Sequence, residues 1–144
     1  MNGEKMTRAS FNWFFVLQTR WSDNDMYGHI NNAKYYSYLD TVMSEFLIQG
    51  CQFHIEKNNV ISVVASSQCD YFQSISYPST IHIGISIEHI GTKSVRYMIG
   101  FFKDEEDTAS AVARLTEVWL DKESGTSISI PEQLKVNLKK YTVH

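Results

Sequence analysis

The stretch N-N-A-K-Y-Y-S-Y-L-D-T-V-M-S-E-F-L-I-Q-G, Asn31 to Gly50, decides the fold. Tyr35, Leu39, Val42 and Phe46 recur at intervals of four, three and four, which is one stripe of an α-helix. Tyr36, Met43 and Leu47 widen the stripe to that of a helix half wrapped by a sheet. Asn31 or Asn32 can cap it by accepting from the first unpaired amides, and Gly50 stands where a helix stops. The spacing predicts one helix of about four or five turns. Asp40 and Glu45 fall off the main stripe, on a solvated face.

On both sides of this helix the period changes. Upstream, F-N-W-F-F-V-L-Q-T-R, Phe11 to Arg20, has the aromatic and β-branched content of a strand. Before it lies a leader, residues 1–10, expected to be frayed. Downstream, Val60 to Phe72 is a long strand candidate, and Pro78 breaks the chain. Ile81, Ile83, Ile85 and Ile87 then alternate with His82, Gly84, Ser86 and Glu88, as in a half-buried strand. Gly91-Thr92 is a turn, after which Val95, Tyr97, Ile99 and Phe101 alternate again. Lys103 to Asp107 is a charged turn. Ala109, Ala111, Ala113 and Leu115 lead into Val118, Trp119 and Leu120, Ser124-Gly125 turns the chain, and Pro131 opens a short amphipathic tail ending at His144.

Strand, helix, then four strands on short connections excludes a doubly wound parallel sheet, which needs a helix between successive strands. One helix and about five antiparallel strands bury each other's faces when the sheet wraps the helix, an α+β architecture. The 144 residues suit one core, so a single domain over 1–144 is expected.

Composition excludes several functions. At 43% hydrophobic and 20% charged the chain is that of a folded protein rather than a disordered one. A net charge of −3 gives no basic footprint for nucleic acid. No apolar run approaches the roughly 20 residues of a membrane span, and Met1 to Ser10 lacks the apolar core of a secretory signal. Cys51 and Cys69 have neither metal-ligand nor redox spacing, which reads as two reduced thiols in a cytoplasmic protein. His54, His82 and His89 share no ligand spacing, so neither metal nor cofactor is expected. Phosphate-binding glycine motifs are missing, and Ser66, Ser67 and Ser74 lack a nucleophile-elbow setting.

The helix entrance carries the chemistry. W-S-D-N-D-M-Y-G-H-I-N-N-A-K-Y, Trp21 to Tyr35, holds two aspartates, a histidine and three asparagines, more than a cap requires. A helix N-terminus offers unpaired N–H groups and about half a positive charge to an oxygen that is becoming negative. Asp23 and Asp25 stand just before it, and His29 follows Asp25 by four residues. A carboxylate beside such an end suits acyl transfer. The same aspartates also suit Asx-turns and caps, and residue chemistry alone does not decide between the two.

The entrance resembles the signature of hotdog-fold thioesterases of the 4-hydroxybenzoyl-CoA thioesterase-like group, roughly D-x-D-x-x-G-H-V-N-N-x-x-Y between a first strand and a central helix. The resemblance runs from about Val16 to Gln133 and takes in Y-F-Q-S-I-S-Y-P, the I-G-T-K-S turn and Ile130-Pro131. It implies a hotdog fold and hydrolysis of an acyl-CoA or acyl-carrier-protein thioester. By that resemblance Asp25 is the catalytic carboxylate, as nucleophile or general base, and the Asn32 amide, with Asn31 adjacent, polarises the carbonyl. His29 supports Asp25. Gly28 lets the backbone approach the acyl chain, and Tyr27, Asn31, Tyr35 and Tyr36, with Leu39, are candidates to contact substrate. The plant acyl-carrier-protein thioesterases look similar, with D-x-N-x-H, but Tyr27 stands here where they have asparagine, which favours an Asp-centred mechanism. The resemblance also implies a homodimer or dimer of dimers, with active sites at the subunit junction. A non-catalytic acyl-thioester binder is an alternative of another class, and a hotdog dehydratase fits the entrance less well.

Overall fold

The computed structural model describes residues 6–143. Half of the expected leader, residues 1–5, and the terminal His144 lie outside the described residues. Five strands form one antiparallel sheet: β1 Trp13–Gln18, β2 Val60–Tyr71, β3 Thr80–Ile90, β4 Ser94–Lys103 and β5 Ala111–Asp121. Their order is β1-β3-β4-β5-β2, so β1 and β2 are the edges. Helix α1, Asn32–Glu45, follows β1 and lays Tyr35, Leu39, Val42, Met43 and the following Phe46 against the buried isoleucines of β3 and the inward residues of β4 and β5.

The last helical turn, Phe46–Gly50, widens to π geometry, closed by the Cys51 N–H donating to the Phe46 carbonyl at 2.9 Å. Gly50 ends the helix for a packing reason. A methyl group there would lie 2.8 Å from the Phe46 ring, while the left-handed backbone falls to Gln52, at φ 55°.

Four expectations need correction or extension. Tyr36 does not widen the buried stripe: it is 41% exposed, and Tyr38 is buried instead. At 100° per residue Tyr36 has turned past the edge of the stripe, and Tyr38 finds a buried acceptor for its hydroxyl. The tail forms a second helix, α2 Glu132–Leu138, with Leu134 and Leu138 in the core. It is pinned to the end of α1 by Asn137 donating to the Cys51 carbonyl at 2.7 Å and by the nearby Tyr141 hydroxyl donating to Gly50 at 2.6 Å.

The leader, finally, is packed rather than frayed from Thr7 onward. Thr7 pairs with Thr108, and Arg8 donates to the carbonyls of Glu106 and Asp104 at 2.8 and 2.7 Å with its guanidinium over Phe102. Phe11 follows and lies on Gly84 and Gly100, which face each other across β3 and β4. This covers the outer face of β3, so Gly84 and Ser86 are buried as well as the isoleucines and the strand is not half-exposed. No helix among the described residues is long and apolar enough to cross a membrane.

Candidate active site

The entrance folds as a tight loop held from both sides. Asp25 N–H donates to the His29 carbonyl at 2.9 Å, and Gly28 N–H donates to the Asp25 carbonyl at 3.0 Å. Gly28 sits at φ 80° with open space where a side chain would be, so what the fold asks of it is the left-handed backbone. The Ile30 N–H donates to the Ile75 carbonyl at 2.7 Å, and the Asn24 side chain accepts from the Tyr77 N–H at 3.0 Å. These bonds fix the segment after β2 against the helix entrance.

The two aspartates separate by environment. Asp23 is buried and accepts from the Tyr38 hydroxyl at 2.7 Å and the Arg20 N–H at 2.9 Å, with the Arg20 guanidinium at 3.3 Å. Burial alone raises its pKa, but these donors outweigh that and hold it below the ordinary carboxylate range. Asp25 is half-buried and opens on a cleft of about 330 Å³. Its Oδ1 accepts from the Tyr27 N–H at 2.9 Å, and among the described residues its Oδ2 is met only by Asn31 Nδ2, at 3.5 Å.

Of the residues singled out in the sequence, Asp25, Tyr27, His29, Asn32 and Tyr35 line this cleft together. Tyr35 is a buried wall whose hydroxyl burial pushes up to about 12. Asn31, Gly28, Tyr36 and Leu39 are not part of the lining. Asn31 caps the helix, its Oδ1 accepting from the Ala33 N–H at 2.9 Å. Its own N–H is committed to the Asp23 carbonyl at 3.0 Å, so of the two asparagine amides expected to meet a thioester carbonyl that of Asn31 is not free to do so. The Asn32 N–H has no acceptor among the described residues, and it opens the helix.

The opposite wall is Tyr71, Phe72, Gln73 and Ser74, residues not singled out as site residues from the sequence. Their signal was the Y-F-Q-S run leaving the long strand, polar where a strand end needs only a turn. Among the described residues no group of three His, Cys, Asp or Glu could hold a metal ion. Both cysteines are free thiols, and burial pushes Cys51 up to about 12, which leaves it unreactive.

A five-stranded antiparallel sheet in the order β1-β3-β4-β5-β2 with a long helix packed on one face, entered through this loop, is the hotdog fold of thioesterases. Residues 19–138 match the profile of the Thioesterase-like superfamily, and the chain belongs to it. The PA5185 protein from Pseudomonas aeruginosa is 33% identical, with a TM-score of 0.92 over 97% of this chain and 98% of that one. YsmA of Bacillus subtilis is 26% identical over 132 residues, 91% of this chain and 88% of YsmA. The fold is also shared with BH1999 gentisyl-coenzyme A thioesterase, at 18% identity and a TM-score of 0.78 over 88% of this chain and 99% of that one.

Proposed function

We propose that this protein hydrolyses an acyl-coenzyme A or acyl-carrier-protein thioester to a carboxylic acid and a thiol. The observation that carries this reading is that the Asp25 carboxylate and the unpaired Asn32 N–H open on one cleft, at the positive end of α1. Asp25 Oδ2 takes a proton from a water molecule as its oxygen adds to the thioester carbonyl. The resulting oxyanion is met by the Asn32 N–H. The tetrahedral centre then collapses, the carbon–sulfur bond breaks with its electron pair on sulfur, and the proton held by Asp25 returns to the thiolate. General-base help contributes about 10²–10⁴, and one oxyanion donor about 10²–10³ in kcat. A thioester, with a weakly conjugated carbonyl and a good leaving group, needs no more elaborate machinery.

His29 stands on the rim of the cleft in support, with Tyr27 beside it. The solved gentisyl-coenzyme A thioesterase supports a coenzyme A substrate by likeness of fold. A homodimer fits the sheet: β2 is an edge strand of 12 residues with Val63 and Val64 exposed, and a long free edge calls for a partner.

The test is release of free thiol from a panel of acyl-coenzyme A and acyl-carrier-protein thioesters differing in chain length and aromaticity. Turnover of at least one is the expected result. Tight binding without thiol release from any of them would favour the non-catalytic reading.

A further inference from the structure

Strand β5 carries an acid where its alternation calls for a core side chain. Ala111, Ala113, Leu115 and Trp119 are buried at alternate positions, and Glu117 stands in the same register. It is 5% exposed, lies between Val64 of β2 and Val95 of β4, and its Oε2 has no hydrogen-bond partner among the described residues. Burial raises its pKa; the Ser62 hydroxyl pulls partly back and Asp40 adds to the rise. A buried carboxyl oxygen without a partner is costly to the fold and asks for a group to meet it.

That group has room. Glu117 lines a cavity of about 390 Å³ between α1 and the β2–β5 ladder, whose apolar walls include Met43, Leu47, Phe53 and Val64. Its polar lining is Asp40, Glu56 and Glu117 with the hydroxyls of Ser44 and Ser62; no lysine, arginine or histidine is among them. Such a surface repels phosphates and carboxylates. It accepts an apolar body ending in a hydrogen-bond donor.

The cavity lies against the same helix that carries the candidate active site at its N-terminus. Asn32, Tyr36, Asp40 and Ser44 are all exposed and spaced four apart, so they form one open face running from the free amide to the cavity. From Asn32 to Asp40 the helix rises about 12 Å, beyond the reach of a single aromatic acyl ring but within that of an aliphatic chain. We propose that this cavity is a subsite for the far end of the acyl group, and that it selects aliphatic acyl chains ending in a hydroxyl or a protonated amine. The proposal rests on the thioesterase reading and adds the substrate class to it. A protonated Glu117 accepts from a terminal hydroxyl and can donate to it, whereas a terminal ammonium draws the carboxylate form.

The test compares kcat/KM for dodecanoyl-coenzyme A with its terminally hydroxylated and terminally aminated counterparts, on wild type, Glu117→Gln and Glu117→Leu. Wild type is expected to prefer a donor-ended chain by about tenfold or more. The preference falls to about one in Glu117→Leu, while Glu117→Gln keeps that for the hydroxyl and loses that for the amine. Equal ratios in wild type and both variants, or no preference in wild type, overturn the proposal. Calorimetric titration of wild type and Glu117→Gln with octylamine, octane-1,8-diol and octanoate is a second readout that needs no turnover. If no thioester is cleaved, the hydrolase reading falls, and binding of the amine or the diol but not octanoate still assigns the cavity's chemistry. Binding of none of the three, or of octanoate as well as the others, removes it.

Discussion

The Tyr38 hydroxyl donates a 2.7 Å hydrogen bond to Asp23 Oδ2 beneath the helix, two residues upstream of the aspartate that opens on the cleft. Near neighbours in sequence, the two carboxylates have different surroundings. One is locked into the fold by three donors, and the other keeps an oxygen open to the cleft. The Asp23 carbonyl also takes the Asn31 N–H, so the same residue leaves Asn32 as the first uncommitted amide of the helix.

Tyr38→Phe is expected to cost about 1.5–3 kcal/mol, the usual contribution of a hydrogen bond to a charged group. The cost depends on pH in a fixed direction. Asp23 has a folded pKa below its ordinary 3.8, so its stabilisation is present above that value and is lost as pH falls through the folded pKa. Removing the Tyr38 donor raises the folded pKa. The gap between wild type and variant in urea-unfolding free energy is therefore widest near neutral pH and narrows in acid. A gap constant with pH would mean that Tyr38 contributes by packing alone.

Asp25→Asn and Asp23→Asn are expected to fail in different ways. Asp25→Asn keeps the acceptor for Tyr27 and loses the base, so thiol release falls by about 10²–10⁴ with little change in stability. Asp23→Asn places an amide among three donors and lowers the unfolding midpoint first. A dead Asp23→Asn that is fully folded, beside an active Asp25→Asn, would reverse the assignment.

Much of this was legible in the residues because two periods carried it. The 3.6-residue stripe located α1, and the alternation of the isoleucines located β3, since both reflect burial against a single core. Less legible was whatever depended on a second covering layer. The leader reads as a polar terminus, yet Arg8 and Phe11 close the outer face of the sheet, through backbone carbonyls about a hundred residues away and two glycines on separate strands. Glu117 was missed for a related reason: alternation through Leu115 and Trp119 marks its position as inward, but a lone acid within an apolar run reads as noise until the cavity beside it is seen. Of the residues that line the cleft, Asp25, His29 and Asn32 were singled out by pattern. Which asparagine amide stays free depended on a backbone bond to Asp23 that no pattern records.

The glycine pair under Phe11 gives a stability test remote from the cleft. A methyl at Gly84 would lie 2.7 Å from the Phe11 Cβ and 2.8 Å from the Phe14 ring, and one at Gly100 would lie 2.5 Å from the Phe11 ring tip. Gly84→Ala is expected to destabilise by about 1–3 kcal/mol through overpacking. Adding Phe11→Ala to it should recover part of that loss, which a double-mutant cycle in urea measures directly. An additive cycle would show that the two residues do not press on each other.

The backbone donor at Asn32 can be removed without removing the helix. Proline is tolerated at the first helical position, where its missing N–H breaks no intrahelical bond. The preceding residue, Asn31, already has φ −64° and ψ 142°, the extended conformation that a following proline requires. Asn32→Pro should therefore leave helix content and unfolding midpoint close to wild type while kcat for thioester hydrolysis falls about 10²–10³-fold, the usual contribution of one oxyanion donor. Asn32→Ala keeps the N–H and removes only the side chain, so it is expected to retain most of the rate. Circular dichroism and thiol release on the two variants decide the matter together: a folded Asn32→Pro with unchanged kcat would remove the amide from the mechanism, and an equally slow Asn32→Ala would move the role to the side chain.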